Sequence, residues 1–228
     1  ILNFISLEYV PLFIGVYILL SLWSQKFNEK IKRYENYYLA GFFQTGLSMV
    51  VGATGPLTMT LLFKDYNIST MLDIPCGDFY WMKEVDLKDI EYIGADIVDD
   101  LIKKNNKEYH KNNLYFKKLD LLKDSLPNVD LIFTRDCLVH LSFEDIFNAL
   151  TNICNSNSKY LLTTHFTERP SNNDIKTGQW RTLNLEIEPF FLPKPIKIIN
   201  EGCTENEGIY SDKSLGFWKI SDIRKSLK

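Results

Sequence analysis

The sequence predicts an α/β domain built on a parallel sheet, preceded by a hydrophobic helical hairpin. Three observations carry this. From Tyr66 onward, strand-like runs alternate with helix-like ones. The run Thr70-Met71-Leu72-Asp73-Ile74-Pro75-Cys76-Gly77-Asp78-Phe79 is apolar and then turns on one glycine, and a second run, Glu91 to Asp96, ends in another acid. Such a strand, turn and second acid form the outline of a nucleotide-binding unit. Ahead of both, residues 9–23 and 36–63 carry no charge at all.

Composition sets wide bounds. A chain of 228 residues holds one large domain, or one domain and an appendage. The hydrophobic fraction of 45% excludes disorder, and a formal charge of −3 gives no argument for a nucleic-acid partner. The cysteines Cys76, Cys137, Cys154 and Cys203 form no CxxC pair, so neither a structural zinc site nor any other metal site is expected. Three lie in apolar runs, which fits buried thiols in a reducing compartment. The chain begins at Ile1 and reads as a fragment or a processed product.

The hairpin is expected over residues 1–63. Tyr9 to Trp23, extended by Phe4 to Leu7, is long enough to cross a bilayer, although Glu8 and Pro11 interrupt it. Between the two uncharged stretches lie Lys26, Lys30, Lys32 and Arg33 against Glu29 and Glu35, which places that loop in the cytoplasm. The alternatives are buried core helices or a signal peptide. Residues 41–57, with Gly41, Gly46, Gly52 and Gly55, resemble the glycine-rich repeat of the TauE/SafE-type anion (sulfite) exporter family. Two spans cannot build a pathway that needs two repeats, so transport is not expected. Membrane association through residues 4–63 is.

The second domain is expected over residues 66–228. Strands are predicted at Thr70–Ile74, Tyr92–Ala95, Leu114–Lys118, Leu131–Thr134 and Tyr160–Thr164. Helices are predicted at Val98–Tyr109 and at Phe143–Cys154, the latter behind a Ser142 cap with acids in its first turn. Ile196–Asn200 and Leu215–Ile220 read as a hairpin closing the sheet edge.

This layout resembles the class I S-adenosylmethionine-dependent methyltransferases over about residues 66–220. Leu72-Asp73-Ile74-Pro75-Cys76-Gly77-Asp78 resembles that family's first motif, Asp96 falls at its ribose-binding acid, and Leu119-Asp120-Leu121 at its adenine contact. Val129 to Leu141 is similar to the fourth strand and its following loop. The resemblance implies a seven-stranded Rossmann-like sheet in the order 3-2-1-4-5-7-6 with the last strand antiparallel. It also implies S-adenosyl-L-methionine as cofactor and methyl transfer to a small polar acceptor in the cytoplasm. Two departures stand out. Of three glycines in the common first motif only Gly77 remains, with Pro75 and Phe79 in the other places, and the helix usual before the first strand is replaced by membrane-like sequence.

Each site residue has an expected role and a plainer one. Asp73, Pro75, Cys76 and Gly77 would shape the donor turn, or simply make a turn. Asp96 would accept the ribose hydroxyls, or cap a helix. Ile97 would pack on adenine or belong to the core. Asp120 and Leu121 would meet the adenine edge. Arg135 and Asp136 leave the fourth strand at its carboxyl end, where ligands of open sheets lie, and would line the donor or acceptor site, Arg135 on the cofactor side, or pair with each other. His140 would take a proton from an acceptor hydroxyl or amine, with Asp136 beside it, or serve structure alone. His165 is a weaker candidate. The long segment from Thr167 to Pro195 brings Trp180 and Arg181 for acceptor recognition, or to cover the sheet.

Two further readings compete. A nicotinamide dehydrogenase on the same sheet lacks its Gly-x-Gly-x-x-Gly turn. A membrane or transport-type fragment fused to a non-catalytic methyltransferase-like domain accounts for the hairpin. A cytoplasmic loop sends a full second span outward, so a cytoplasmic α/β domain needs a re-entrant second stretch, a first stretch that does not insert, or an accidental join of two parts.

Overall fold

The computed structural model describes residues 55–227. The hairpin and exporter-like expectations fall almost wholly on residues 1–54, outside the described residues. Gly55–Lys228 forms its own compact unit.

That unit begins at Gly55, eleven residues ahead of Tyr66. Helix α1 (Gly55–Asp65) occupies the end of the second uncharged stretch. Its Met59, Leu62 and Phe63 are buried with Ile68, Met71 and Phe217. The apolar residues that read as membrane sequence face a sheet, and Lys64 and Asp65 lie exposed at the helix end. The helix missing from the sequence reading before the first strand is therefore present. No helix among the described residues is long and apolar enough to cross a membrane.

Seven strands form one sheet in the order β3-β2-β1-β4-β5-β7-β6. They are β1 (Thr70–Asp73), β2 (Glu91–Asp96), β3 (Leu114–Lys118), β4 (Leu131–Thr134), β5 (Tyr160–Phe166), β6 (Lys197–Asn200) and β7 (Lys213–Lys219). The pairs among β1 to β5 are parallel, while β7 runs antiparallel to both β5 and β6. Successive strand residues face opposite sides, so β4 sends Leu131 and Phe133 into one core and Ile132 into the other. Helix α2 (Asp99–Tyr109) covers the first face beside α1 with Ile102. Helix α3 (Phe143–Asn155) covers the second with Ile146, Ala149, Leu150 and Ile153. The short α4 (Ile220–Ser226) adds Ile220 and Ile223 there.

Local chemistry fixes the joints. The Ser142 hydroxyl accepts from the Asp145 N–H at 3.2 Å, the expected cap of α3, a contact worth about 1 kcal/mol. Asp130 accepts from the Ser69 N–H at 2.9 Å, the Ser69 hydroxyl at 2.8 Å and the Thr70 N–H at 3.1 Å, and it pairs with Lys159 at 2.6 Å. One carboxylate thus locks the start of β1 to the start of β4. The strand order reverses between β1 and β4, which opens a crevice beyond their carboxyl ends.

Candidate active site

At that crevice β1 ends in Asp73 and runs into a turn that Gly77 makes possible. Gly77 has φ +55°, a region that side chains strain to enter. Three contacts hold the turn. The Cys76 N–H donates to the Ala95 carbonyl at 2.8 Å, the Gly77 N–H to Asp96 Oδ2 at 3.3 Å, and Asn105 Nδ2 to the Gly77 carbonyl at 2.7 Å. Pro75 is exposed at the front of the turn, while Cys76 is buried, and burial pushes its thiol well above the ordinary range. Cys76 is a neutral liner, not a nucleophile.

Asp96 ends β2 facing that turn. Its Oδ1 accepts from the Val98 N–H at 2.9 Å, so each oxygen holds one backbone donor and keeps a lone pair for another. Beside it Ile97 is 58% exposed and Val98 53%. Ile97 is therefore no core residue. An open apolar side chain stands next to a carboxylate whose acceptor capacity is half used.

Asp73 is buried and accepts from the Tyr92 hydroxyl at 2.6 Å. Burial lifts its carboxyl to about 7; the Tyr92 hydrogen bond works against this, Asp96 adds to it and Arg135 opposes it. The site thus holds an acid whose ionised form an incoming cation would favour, with the proton released to solvent.

The remaining donor-side expectations divide. Asp120 sits in the turn after β3, accepting from the Leu122 N–H at 2.9 Å and lying 3.6 Å from Lys123. Leu121 sends its side chain into the core, among residues of α3, because the turn folds back under the sheet.

Beyond β4, Arg135 donates from Nε to Glu201 at 2.6 Å and lies 3.6 Å from Asp136. Burial works to lower the Arg135 pKa, yet Glu201 and Asp136 together hold it above the ordinary value. Lys213 donates to Asp136 at 2.9 Å and lies 3.7 Å from Glu201, so two cations and two carboxylates close a ring. Asp136 has φ +52°, and its N–H donates to the Thr164 hydroxyl at 2.7 Å. A non-glycine residue held there marks a constrained position at the ligand end.

His140 closes the short 3₁₀ turn Leu138–His140 and is exposed. Its Nδ1 lies 3.0 Å from the Gln179 carbonyl. A carbonyl only accepts, so Nδ1 carries the proton and Nε2 keeps its lone pair. His165 is arranged the opposite way. Its Nδ1 accepts from the Leu185 N–H at 3.2 Å, and its Nε2 lies 3.1 Å from Glu186 and donates to it. It is fully buried, and burial lowers its pKa against the pull of Glu186. Both of its nitrogens are occupied, and its place is structural.

The long loop after β5 is strapped onto this 3₁₀ turn. The Gly178 N–H donates to the His140 carbonyl at 2.8 Å and the Arg181 N–H to the Val139 carbonyl at 3.1 Å. Arg181 is buried, and its guanidinium donates to the Leu138 carbonyl at 3.0 Å and the Leu141 carbonyl at 2.8 Å. Burial pulls its pKa down to about 10. Two arms of its guanidinium thus hold the turn that carries His140, while its buried Nε has no hydrogen-bond partner. Trp180, in contrast, is 45% exposed.

Several of these residues had no clear mark in the sequence. Tyr92, Glu201, Lys213 and Tyr210 reach the site from distant elements. Asn105 had a mark: it stands three positions after Ile102 on the buried face of α2, where a polar residue needs a partner.

No protein-family model matches the sequence, and no curated protein is significantly similar to it. The exporter-like resemblance of residues 41–57 therefore gains no support. Solved structures do match. Human N-acetylserotonin methyltransferase in complex with SAM is similar at 14% identity with a TM-score of 0.55, over 82% of this chain and 57% of that one. PigF with SAH is similar at 14% identity and a TM-score of 0.52, over 82% of this chain and 60% of that one. The methyltransferase domain of a bacterial Hen1, CtHen1-CN, is similar at 13% identity and a TM-score of 0.52, over 71% of this chain and 95% of that one. The chain thus spans less than two thirds of the first two. At such identities the likeness establishes the fold, a methyltransferase-type sheet.

Proposed function

We propose that this chain is an S-adenosylmethionine-dependent methyltransferase acting on a small polar acceptor. The observation that carries it is the pairing of the Gly77 turn with Asp96 and exposed Ile97 at the carboxyl ends of β1 and β2. The residues fit that donor. A Cβ built on Gly77 meets nothing within 4 Å, so the space before the turn is open. Asp96 has acceptor capacity for a vicinal diol, and Ile97 offers an apolar face for adenine. Asp73, with Pro75 and Cys76 shaping the turn, matches a cationic amino-acid end. Asp120 lies at the rim on the adenine side.

When bound, that donor supplies a methyl group on a positively charged sulfur. An acceptor lone pair would take that methyl, the methyl–sulfur bond's electrons remaining with sulfur. The chain's part is to hold the two in line and to take the acceptor's proton. His140 Nε2, left free by the Gln179 carbonyl on Nδ1, takes it and passes it to water. Asp136, pinned by Thr164 and Lys213, holds the acceptor's polar group, and Arg135 ties this edge to the hairpin loop.

A second reading, a non-catalytic domain carried on a membrane segment, rests on residues 1–54 alone. Calorimetry with S-adenosylmethionine on the full chain separates the two. The methyltransferase reading requires saturable binding that weakens about tenfold or more in Asp96→Ala, as losing two charge-assisted hydrogen bonds demands. Absence of binding by the wild-type chain removes it. The expected membrane association and cytoplasmic placement stay proposals that a membrane-fractionation experiment addresses.

A further inference from the structure

The strap that orients His140 also carries an open aromatic side chain, Trp180. The Gln179 carbonyl on His140 Nδ1 and the Trp180 N–H belong to the same peptide unit. The strap residue that follows the Gln179 carbonyl is therefore Trp180, whose backbone is carried by the same peptide as the His140 contact. Its indole stands edge-on to Tyr210 at 5.2 Å and 72°, and to Phe166 at 6.4 Å and 81°. Two rings near a right angle make a corner. Next to it Ile209 is 57% exposed, which extends the apolar surface.

This corner is firmly backed. The Arg169 guanidinium lies 5.9 Å from the Tyr210 ring centre and 5.6 Å from that of Phe166. Arg169 donates to both oxygens of buried Asp212 and, at 2.6 Å, to the Ile209 carbonyl. The Lys213 N–H donates to the Tyr210 carbonyl at 2.9 Å. Tyr210 is thus held from behind while the Trp180 indole stays open.

The surrounding charges decide what fits. Arg169 is matched by Asp212, Arg135 by Glu201, Lys213 by Asp136, and Arg181 by two carbonyls. The three ion-paired cations are committed, the one unpartnered nitrogen of Arg181, Nε, is buried away from solvent, and the two ring carboxylates already hold cations. A charged head group directed at Arg135, Asp136, Glu201 and Lys213 would have to break one of their pairs. A flat, uncharged ring breaks none.

We propose that the corner of Trp180 and Tyr210 is the acceptor site, and that the acceptor is an uncharged hydroxylated ring, phenolic or sugar-like, stacked there with a hydroxyl toward His140. This rests on the methyltransferase reading above. The transfer balances as an ether synthesis. The oxygen of the ring's hydroxyl group bonds to the methyl carbon, the methyl–sulfur bond breaks with its electron pair on sulfur, and the hydroxyl proton goes through His140 Nε2 to water.

The test uses the full chain saturated with S-adenosylhomocysteine, titrated calorimetrically with catechol, with methyl α-glucoside and, as a charged control, with ethanolamine. Binding of catechol or the glucoside, but not ethanolamine, is expected; whichever binds identifies the ring source. That affinity should fall about tenfold in Trp180→Ala and in Tyr210→Ala and be largely kept in Trp180→Phe, since a phenyl ring still offers a stacking face. Affinity for S-adenosylhomocysteine should stay within about twofold of wild type in all three variants, which also shows that they fold. Donor binding without either ring binding, preference for ethanolamine, or ring affinity unchanged in Trp180→Ala overturns this proposal and leaves the methyltransferase reading intact. Loss of donor binding by the wild-type chain overturns both.

Discussion

Asn105 on α2 donates to the carbonyl of Gly77 at 2.7 Å, and the N–H of the same Gly77 donates to Asp96 at 3.3 Å. A fully buried amide from a helix thus sets the turn, and the turn in turn meets the acid of the neighbouring strand. In Asn105→Asp the donated hydrogen bond is lost and a buried charge is added. A carbonyl left without its donor costs about 1–3 kcal/mol. The expected result is a lower melting temperature and donor affinity reduced about tenfold in calorimetry.

Asp73 makes stability depend on pH with a definite sign. Its folded pKa is raised to about 7, against about 3.9 in an unfolded chain. The folded state therefore holds the proton more tightly. The stability from this group is complete below about pH 4 and is lost as pH rises through about 7. Asp73→Asn cannot ionise, so the fall in stability between pH 5 and pH 8, followed by urea unfolding, should be shallower in the variant. Donor affinity should follow the opposite course, rising with pH over the same window in wild type and flat in Asp73→Asn.

Arg181 is a positioning residue, acting on His140 through the 3₁₀ turn. Arg181→Met keeps much of the apolar stem and removes the donors to the Leu138 and Leu141 carbonyls. Turnover should fall while donor affinity stays near wild type. Arg181→Lys restores a charge but not the two-pronged geometry, so it should recover only part of the rate. Equal losses in donor affinity and rate would place Arg181 elsewhere in the account.

Gly94 tests the sheet itself. A Cβ there would lie 2.3 Å from Cδ1 of Phe116, a side chain buried against Tyr92 and Phe79. Gly94→Ala should destabilise by about 1–3 kcal/mol in denaturant unfolding, the usual cost of overpacking. Because Tyr92 also holds Asp73, the same variant should weaken donor binding.

The strands were legible because buried parallel strands read as short apolar runs, and five of them stand where their composition puts them. Ser142 was legible as a cap because its acids follow at once. The edges were less so. β7 begins at Lys213, ahead of the expected Leu215, because pairing with β5 continues to Phe166. α4 follows it without a turn signal and is too short to show a period. α1 was misread as membrane sequence because a helix packed on a sheet core and one in lipid share the same apolar composition.

In the site, Gly77 and Asp96 were marked by their spacing. The ring of Arg135, Asp136, Glu201 and Lys213 was not, since β4 and the β6–β7 hairpin meet only in three dimensions. Arg181 carries the sharper lesson. Its residue type pointed to a ligand, whereas its burial commits it to backbone carbonyls, and nothing in a sequence distinguishes those two uses of a guanidinium.

The central claim is that a methyl donor lies between the Gly77 turn and Asp96. The most direct measurement is a crystal structure of the full chain with S-adenosylhomocysteine, read as difference density. The account predicts density at the carboxyl ends of β1 and β2, with a ribose against the Asp96 carboxylate and a flat ring on Ile97. Density at any other place, or none there at saturating ligand, would contradict it.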